Sequence, residues 1–210
     1  MWNKIWIGVK RLFTRVARFR HRCGYGVHSP FAFGLITDVI YEKDAYYAYG
    51  ELKTKQKKEG WQQQSWLKGN KRVNRLLFRL VNRTQPGKII LVGQPSDAVL
   101  YLQAAKPSAD FLYAVDLSGL FLDADVPVDF LYLDDVSHPK MLEEAFNVCA
   151  RRATPNSLFV VRGIGYTGPM KQLWRRLADD TRVGVTFDLF DVGLLFFDRS
   201  KIKQSYVVNF

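Results

Sequence analysis

The stretch KIILVG at residues 88–93 decides the fold. It is a short apolar run that ends in glycine, which is the pattern of a buried parallel strand. Two similar runs follow, FLYAVD at 111–116 and VDFLYLDD at 128–135, and both end in acidic residues. Strand and helix patterns alternate over residues 88–178. Such alternation predicts an α/β fold, a parallel sheet with helices on both faces.

The C-terminal part of the chain predicts a different edge for this sheet. After residue 178, strand patterns follow without a helix between them, and two of them are separated by a tight turn at Asp191-Val192, which is a hairpin signal. The sheet should therefore be parallel-rich with an antiparallel C-terminal hairpin. The segments in question are a fourth strand at 157–161, a helix at 169–178, hairpin strands at 183–190 and 193–197, and a terminal strand at 205–210.

Residues 2–20 have the pattern of one amphipathic helix, with apolar residues at steps of three and four and basic residues mostly between them. Residues 1–83 carry 18 Lys and Arg against 5 Asp and Glu, while residues 84–210 carry a net charge of −2. Three interpretations stay open. The helix docks on the domain by its apolar face, or lies in an anionic membrane interface, or binds nucleic acid. No recognisable module supports nucleic-acid binding.

The remaining N-terminal region is also predicted to be helical. Ser29-Pro30 has the pattern of an N-cap followed by proline at the first helical position, and a further helix is expected over 70–83. The polar stretch 43–68 has little apolar periodicity and predicts a linker or flexible loop. We therefore divide the chain into a basic amphipathic helix at 1–22, a helical region at 23–83 and an α/β domain at 84–210.

Composition excludes several classes of protein. The 210 residues are 48% hydrophobic and 14% aromatic, which excludes a chain that is disordered throughout. No apolar run reaches the roughly 18–20 residues of a transmembrane helix. Cys23 and Cys149 fit neither a zinc site nor a disulfide framework, so no metal is expected from them. A reducing, cytoplasmic compartment is the simplest interpretation.

Candidate site residues follow the predicted strands, because ligands of open α/β sheets bind beyond the carboxyl ends of the strands. Gly93 would allow a ligand to come close, and Asp116 could accept hydrogen bonds from ribose hydroxyls. Asp134, Asp135 and His138 could form an acid–base or magnesium site, or the acids could instead cap the following turn. Arg162 would add a cation for an anionic group, or pair with Asp134 or Asp135.

Three segments resemble a group of bacterial class I S-adenosylmethionine-dependent methyltransferases. GYGVHSPFAF at 24–33 is similar to that group's H-G-I-H-S-P-F-V-F signature. RLLFRLVN at 75–82 is similar to its L-L-F-R-L-V-N helix, and FDLFDVGLLFF at 187–197 to its I-D-L-F-x-x-G-L-V-F-F hairpin. The resemblance implies a Rossmann-like methyltransferase fold that binds S-adenosylmethionine and methylates an acceptor that the sequence does not identify. The cofactor residues would be Gly93, Asp97, Asp116 and Asp134, with Asp134, Asp135 and His138 facing the transferred methyl group or the acceptor.

The chain departs from the group's pattern at this site. Where the group has E-L-G-T-S-L-G, residues 91–97 read LVGQPSD, with one glycine and a proline in the loop. Only 18 residues separate Asp116 from Asp134, so the fold should be shortened by one strand–helix unit. An acidic pair of the group is replaced by Arg162-Gly163. The alternative function is therefore a non-catalytic binding module that contacts a membrane surface or a partner protein through residues 2–22.

Overall fold

A computed structural model describes residues 2–21, 24–44, 46–58, 70–120 and 126–210. Within these residues, seven strands form one sheet in the order β2-β1-β3-β4-β6-β5-β7. The strands are β1 Lys88–Gly93, β2 Asp110–Ala114, β3 Phe130–Asp134, β4 Leu158–Arg162, β5 Val185–Asp188, β6 Val192–Phe196 and β7 Gln204–Val207.

The topology confirms the predicted fold class. Strands β1 to β4 are parallel, and β6 is inserted antiparallel between β4 and β5. The register of β1 on β3 pairs Gly93 with Asp134, so both residues lie at the carboxyl edge of the sheet. Between β2 and β3, the described residues contain a 3-10 turn at Leu117–Gly119 but no strand. In the described part of this interval, the strand–helix unit that the sequence predicts to be missing is therefore absent.

Helices cover both faces of the sheet. The α-helices of the described residues are α1 Trp2–Ala17, which lies at the carboxyl edge rather than on a face, and α2 Pro30–Leu35, α3 Ala48–Lys58, α4 Lys71–Thr84, α5 Ala98–Ala105, α6 Pro139–Ala150 and α7 Gly168–Asp179. Ser29 caps α2 as predicted, because its hydroxyl accepts a hydrogen bond from the Ala32 amide. Every helix in the described ranges is too short or too polar to span a bilayer.

Alternate residues of each strand enter two apolar layers. On β1, Ile89 and Leu91 pack with α2 and α4, whereas Ile90 and Val92 pack with α6 and α7. All four side chains are fully buried. Both faces of β1 therefore need apolar residues, which explains its uninterrupted hydrophobic run.

The loop predicted at 43–68 contains a helix, α3, so that prediction is wrong over Ala48–Lys58. Its Tyr49 and Leu52 are buried against Phe78 and Tyr101. The Tyr49 and Phe78 rings lie 5.3 Å apart, nearly perpendicular to each other. Two anchoring side chains in eleven residues give almost no periodicity, so α3 depends on this tertiary contact rather than on a sequence pattern.

The predicted hairpin turn at Asp191-Val192 is displaced by about two residues. The turn instead covers residues 189–191, between β5 and β6. Phe190 adopts a left-handed conformation with φ of 67°, and its amide donates to the Asp188 carboxylate at 2.9 Å. This local hydrogen bond moves the reversal towards the N-terminus.

Candidate functional site

Gly93 ends β1 at the carboxyl edge in a conformation with φ of 131°. A Cβ atom at this position would lie 2.5 Å from the Asp134 carbonyl oxygen. The next amide, that of Gln94, donates to the same carbonyl at 3.1 Å. Gly93, which the sequence predicts to allow a ligand to come close, therefore also permits close packing of the loop on β3.

The loop after Gly93 is fixed by side-chain hydrogen bonds. The sequence pattern predicts a helix over about 96–105 with Ser96 as its N-cap, but α5 begins at Ala98, and the Ser96 hydroxyl instead donates to Asp134 at 2.9 Å. The Asn74 amide donates to the buried Asp97 carboxylate at 2.6 Å. Asp97, a predicted cofactor residue, therefore faces α4, and the loop has partners within the protein.

Asp116 lies two residues beyond β2 with its side chain exposed. It caps the 3-10 turn, because its Oδ1 accepts from both the amide and the hydroxyl of Ser118. The hydrogen bond from the Ser118 hydroxyl, followed by that from its amide, lowers the pKa of Asp116. An ionised carboxylate is therefore presented to solvent at the point where the sequence predicts a ribose contact.

Asp134 and Arg162 form an ion pair at the ends of β3 and β4. Their Oδ1 and Nη1 atoms lie 2.6 Å apart, and Asp134 is buried. Burial lowers the pKa of Arg162, but the charge of Asp134, the hydrogen bond that Arg162 donates to it and the nearby Tyr132 and Tyr166 together outweigh burial and raise that pKa overall. The predicted pairing of Arg162 with an acid is confirmed, and the carboxylate of Asp134 is neutralised by it.

Asp135 and His138 form a second pair with opposite exposure. Asp135 is buried, whereas the His138 ring is 63% exposed, and Oδ2 lies 2.8 Å from Nδ1. Burial raises the pKa of Asp135, but hydrogen bonds from His138 and Gln94 outweigh it and lower that pKa overall. The ionised carboxylate favours the tautomer with a proton on Nδ1, which leaves Nε2 as a proton acceptor. Asp135 also caps the turn, since its Oδ1 accepts from the Ser137 amide.

The other half of the carboxyl edge is covered by α1, through residues that sequence reasoning missed. Arg11 binds the buried Asp191 carboxylate with both Nε and Nη2, at 2.9 and 2.7 Å. Tyr166 donates to the same carboxylate at 2.8 Å, and Arg18 pairs with Asp188. The sequence does carry a signal for this docking, because residues 2–20 have an excess of basic residues and the hairpin contains acidic ones.

The interpretation that α1 docks by its apolar face is wrong. Its polar contacts with the domain include the ion pairs above, a hydrogen bond from Lys10 to the Tyr166 carbonyl and one from the Asn209 side chain to the Arg15 carbonyl. The buried Asp191 attracts the basic face because its charge would otherwise remain uncompensated, and the partly exposed Asp188 adds a second ion pair. The apolar face consequently points to solvent.

Metal binding has little support in the parts of the chain that the structure describes. No three His, Cys, Asp or Glu side chains of these parts meet in a group able to hold an ion. Beside Asp134 the position of a cation is filled by the Arg162 guanidinium.

Comparison with known proteins gives structural similarity without sequence similarity. No protein-family model matches the chain. A search of curated proteins finds no match.

Solved methyltransferases have the same fold. The O-methyltransferase TomG of Streptomyces achromogenes, in complex with SAM, aligns with a TM-score of 0.53 at 14% identity, over 73% of this chain and 91% of its own. The SAH-bound methyltransferase PaMTH1 of Podospora anserina aligns with a TM-score of 0.50 at 8% identity, over 74% and 98%. At these identities the similarity establishes the fold, which is that of class I methyltransferases.

Proposed function

We propose that the chain binds S-adenosylmethionine or S-adenosylhomocysteine at the carboxyl ends of β1 and β2 and transfers a methyl group to an acceptor at this edge. The observation that carries the proposal is the exposed, ionised carboxylate of Asp116 beyond β2. The Tyr113 hydroxyl donates to the Gly93 carbonyl at 3.1 Å, which joins the two strand ends. The SAM and SAH named with TomG and PaMTH1 support the choice of ligand.

The residues present fit the nucleoside half of such a ligand. The hydrogen bonds from Ser118 go to Oδ1 of Asp116, and the exposed position of the side chain leaves room for ribose hydroxyls to donate to the carboxylate. Asp97 and Asp134 already have partners in Asn74 and Arg162. We therefore assign the cofactor contact to Gly93 and Asp116, and assign Asp97 and Asp134 to holding the loop.

The Asp135–His138 pair supplies a base for the acceptor. When bound, S-adenosylmethionine supplies an electrophilic methyl group. An acceptor hydroxyl or amine has to lose a proton as it is methylated, and His138 Nε2 faces solvent and can take it. Asp135 orients the ring and stabilises the imidazolium that forms. Assignment to the HSPF-type bacterial group is part of this proposal and rests on the three sequence segments quoted above.

Calorimetric titration with S-adenosylhomocysteine tests the proposal. We expect micromolar affinity for the wild type, about −8 kcal/mol. Asp116→Ala should weaken it at least about tenfold while lowering the free energy of unfolding by only about 1 kcal/mol, because the side chain is exposed and its structural role is to cap the 3-10 turn. Asp179→Ala, at an exposed aspartate on α7, is the matched control and should bind like the wild type. Absence of heat at millimolar ligand contradicts the proposal.

A second candidate function is a non-catalytic binding module in which the N-terminal helix makes the contact. The observation that favours it is the loop at residues 94–97, which has hydrogen-bond partners within the protein through Ser96 and Asp97. A protein of this kind should give no heat with S-adenosylhomocysteine and should lose its partner when residues 2–22 are removed. We propose a cytoplasmic location for either function, in keeping with the buried free thiol of Cys149.

A further inference from the structure

Helix α1 is attached to the domain by a polar stripe. The half-buried residues of the helix, together with Arg18 just after its end, recur at helical spacing on the side that faces the domain, and all but Ile7 are polar: Ile7, Lys10, Arg11, Thr14 and Arg18. Arg11 and Arg18 of this stripe are ion-paired with Asp191 and Asp188. The orientation of the helix is therefore set by charge, and its rotation about its own axis is fixed at two points.

The opposite side of α1 and the turn after it is apolar and exposed. Among its large side chains, Leu12 is 64% exposed and Phe13 is 72% exposed. The whole stripe comprises Ile5, Trp6, Val9, Leu12, Phe13, Val16 and Phe19. It spans about 20 Å along the helix axis. An exposed apolar surface of this extent marks an interaction site.

The charges around the stripe indicate what covers it. No residue of α1 is acidic, and the exposed Arg15 and Arg20 flank the stripe near its C-terminal end. Arg72 of α4 lines a cavity of about 460 Å³ together with Arg15, Val16 and Phe19. Burial and the nearby charge of Arg15 lower the pKa of Arg72. A second copy of this helix would bring like charges together, whereas an anionic surface would neutralise them.

We propose that α1 lies in the interface of an anionic phospholipid bilayer, with its apolar stripe at the acyl boundary and Arg15, Arg20 and Arg72 at the headgroup phosphates. The polar stripe stays on the domain, so the carboxyl edge of the sheet is held next to the membrane. Amphipathic helices with aromatic residues on one side and arginines beside them bind in this way. The proposal deepens the second candidate function but does not depend on cofactor binding.

Co-sedimentation of the 210-residue chain with vesicles tests the proposal. We expect binding to vesicles of phosphatidylcholine with phosphatidylserine and much weaker binding to phosphatidylcholine alone. Raising the salt from about 0.1 M to about 1 M shortens the Debye length from about 10 Å to about 3 Å and should weaken binding. Equal binding to both kinds of vesicle overturns the role assigned to the arginines.

Paired variants separate the contribution of the apolar stripe to vesicle binding from that of the arginines. Leu12→Ser with Phe13→Ser should reduce the partition coefficient at least about tenfold, because both side chains leave water on binding. Ile202→Ser, at an apolar residue 81% exposed elsewhere, is its control. Arg15→Glu with Arg20→Glu should reduce binding by about fivefold or more per residue, with exposed Arg199→Glu as control. Each substituted side chain is exposed, so the melting temperature should be unchanged.

Two outcomes count against the membrane. Vesicle binding that survives the Leu12 and Phe13 substitutions overturns the proposal. So does failure of the wild type to bind anionic vesicles while sedimentation equilibrium shows a dimer that the same substitutions dissociate, because the stripe is then covered by a second copy. Titration with S-adenosylhomocysteine reports on the cofactor proposal separately, since Asp116 is not part of α1.

Discussion

Two buried carboxylates at the carboxyl edge, Asp134 and Asp191, are each paired with an arginine. One arginine belongs to the neighbouring strand, and the other belongs to the N-terminal helix. Arg162 ends the strand next to Asp134, at 2.6 Å. Arg11 lies on α1, 180 residues before Asp191 in sequence, at 2.7 Å. The two carboxylates are 2% and 1% exposed, so both need a cation.

The difference concerns which half of the edge is complete without α1. On the β1–β3 side, the sheet and its own loops satisfy the acids. On the hairpin side, Asp191 keeps the Tyr166 hydroxyl but depends on α1 for a positive charge. The β1–β3 half of the carboxyl edge is therefore stabilised by residues of the α/β domain alone. The hairpin half needs α1, a helix whose other face is apolar, to compensate the charge of Asp191.

Gly93→Val should have the largest effect, because it disrupts the backbone packing between β1 and β3, in the half of the edge that does not need α1. A Cβ atom would lie 2.5 Å from the Asp134 carbonyl, and φ of 131° strains any branched residue. We expect the free energy of unfolding to fall by about 4 kcal/mol, measured by urea denaturation. Gly8→Ala on α1 is the control, since no atom lies within 4 Å of its Cβ position. An equal loss in both variants would contradict the distinction between the two halves.

Arg162→Met should come next. It leaves Asp134 buried with the Ser96 hydroxyl as a remaining donor but without a cation. We expect a loss of about 3 kcal/mol in urea denaturation, somewhat reduced because the arginine is partly exposed. Adding Asp134→Asn should restore part of the loss, since the uncompensated charge is then gone. Additivity of the two substitutions would show that the pair is not coupled.

Arg11→Met should cost less, about 1–2 kcal/mol, because α1 can separate from the hairpin and admit water to Asp191, which also keeps the Tyr166 hydroxyl as a donor. Its distinctive effect should be local. Amides of α1 should exchange with deuterium faster while those of β1 remain protected, because the helix loses its bidentate anchor. Unchanged exchange in α1 would mean that Arg18 and Lys10 suffice to hold the helix.

Acid titration gives the smallest expected effect. Hydrogen bonds lower the pKa of Asp135 in the folded state, relative to about 3.9 in an unfolded chain. A lowered pKa adds stability above the unfolded value, and this contribution is lost as pH falls through the folded value. Asp135→Asn should therefore show a shallower loss of stability below about pH 4 than the wild type. A steeper acid limb in the variant would contradict the direction of the shift.

The apolar runs were sufficient to predict the sheet, because strands buried on both faces leave little choice of residue. The same reasoning failed at α3, where two side chains anchor a polar helix, and at Phe190, where a local hydrogen bond relocates the turn. Both depend on contacts that periodicity does not contain. The pattern of residues 2–20 correctly predicted a helix but gave no orientation.

At the candidate site, residue types were predictable but their partners were not. The pairing of Arg162 with an acidic residue was predictable, because both residues follow strands whose ends lie at the same edge of the sheet. The pairing of Asp97 with Asn74 was not, because these residues are 23 positions apart in sequence and join α4 to the start of α5, and no local pattern fixes the relative position of the two helices. Asp191 was assigned to a turn, and its burial under Arg11 is a consequence of tertiary packing alone. Roles assigned to Gly93, Asp116 and His138 remain predictions for binding experiments.

The sequence separation between Arg11 and Asp191 also has a consequence during translation. A ribosome adding about 5–20 residues per second needs about 10–40 s to make the 180 residues between them. For that interval α1 has emerged without the acids that later orient it. A nascent chain could therefore meet a lipid surface before its own hairpin exists, so that the membrane, rather than the finished domain, is the first surface on which the helix forms.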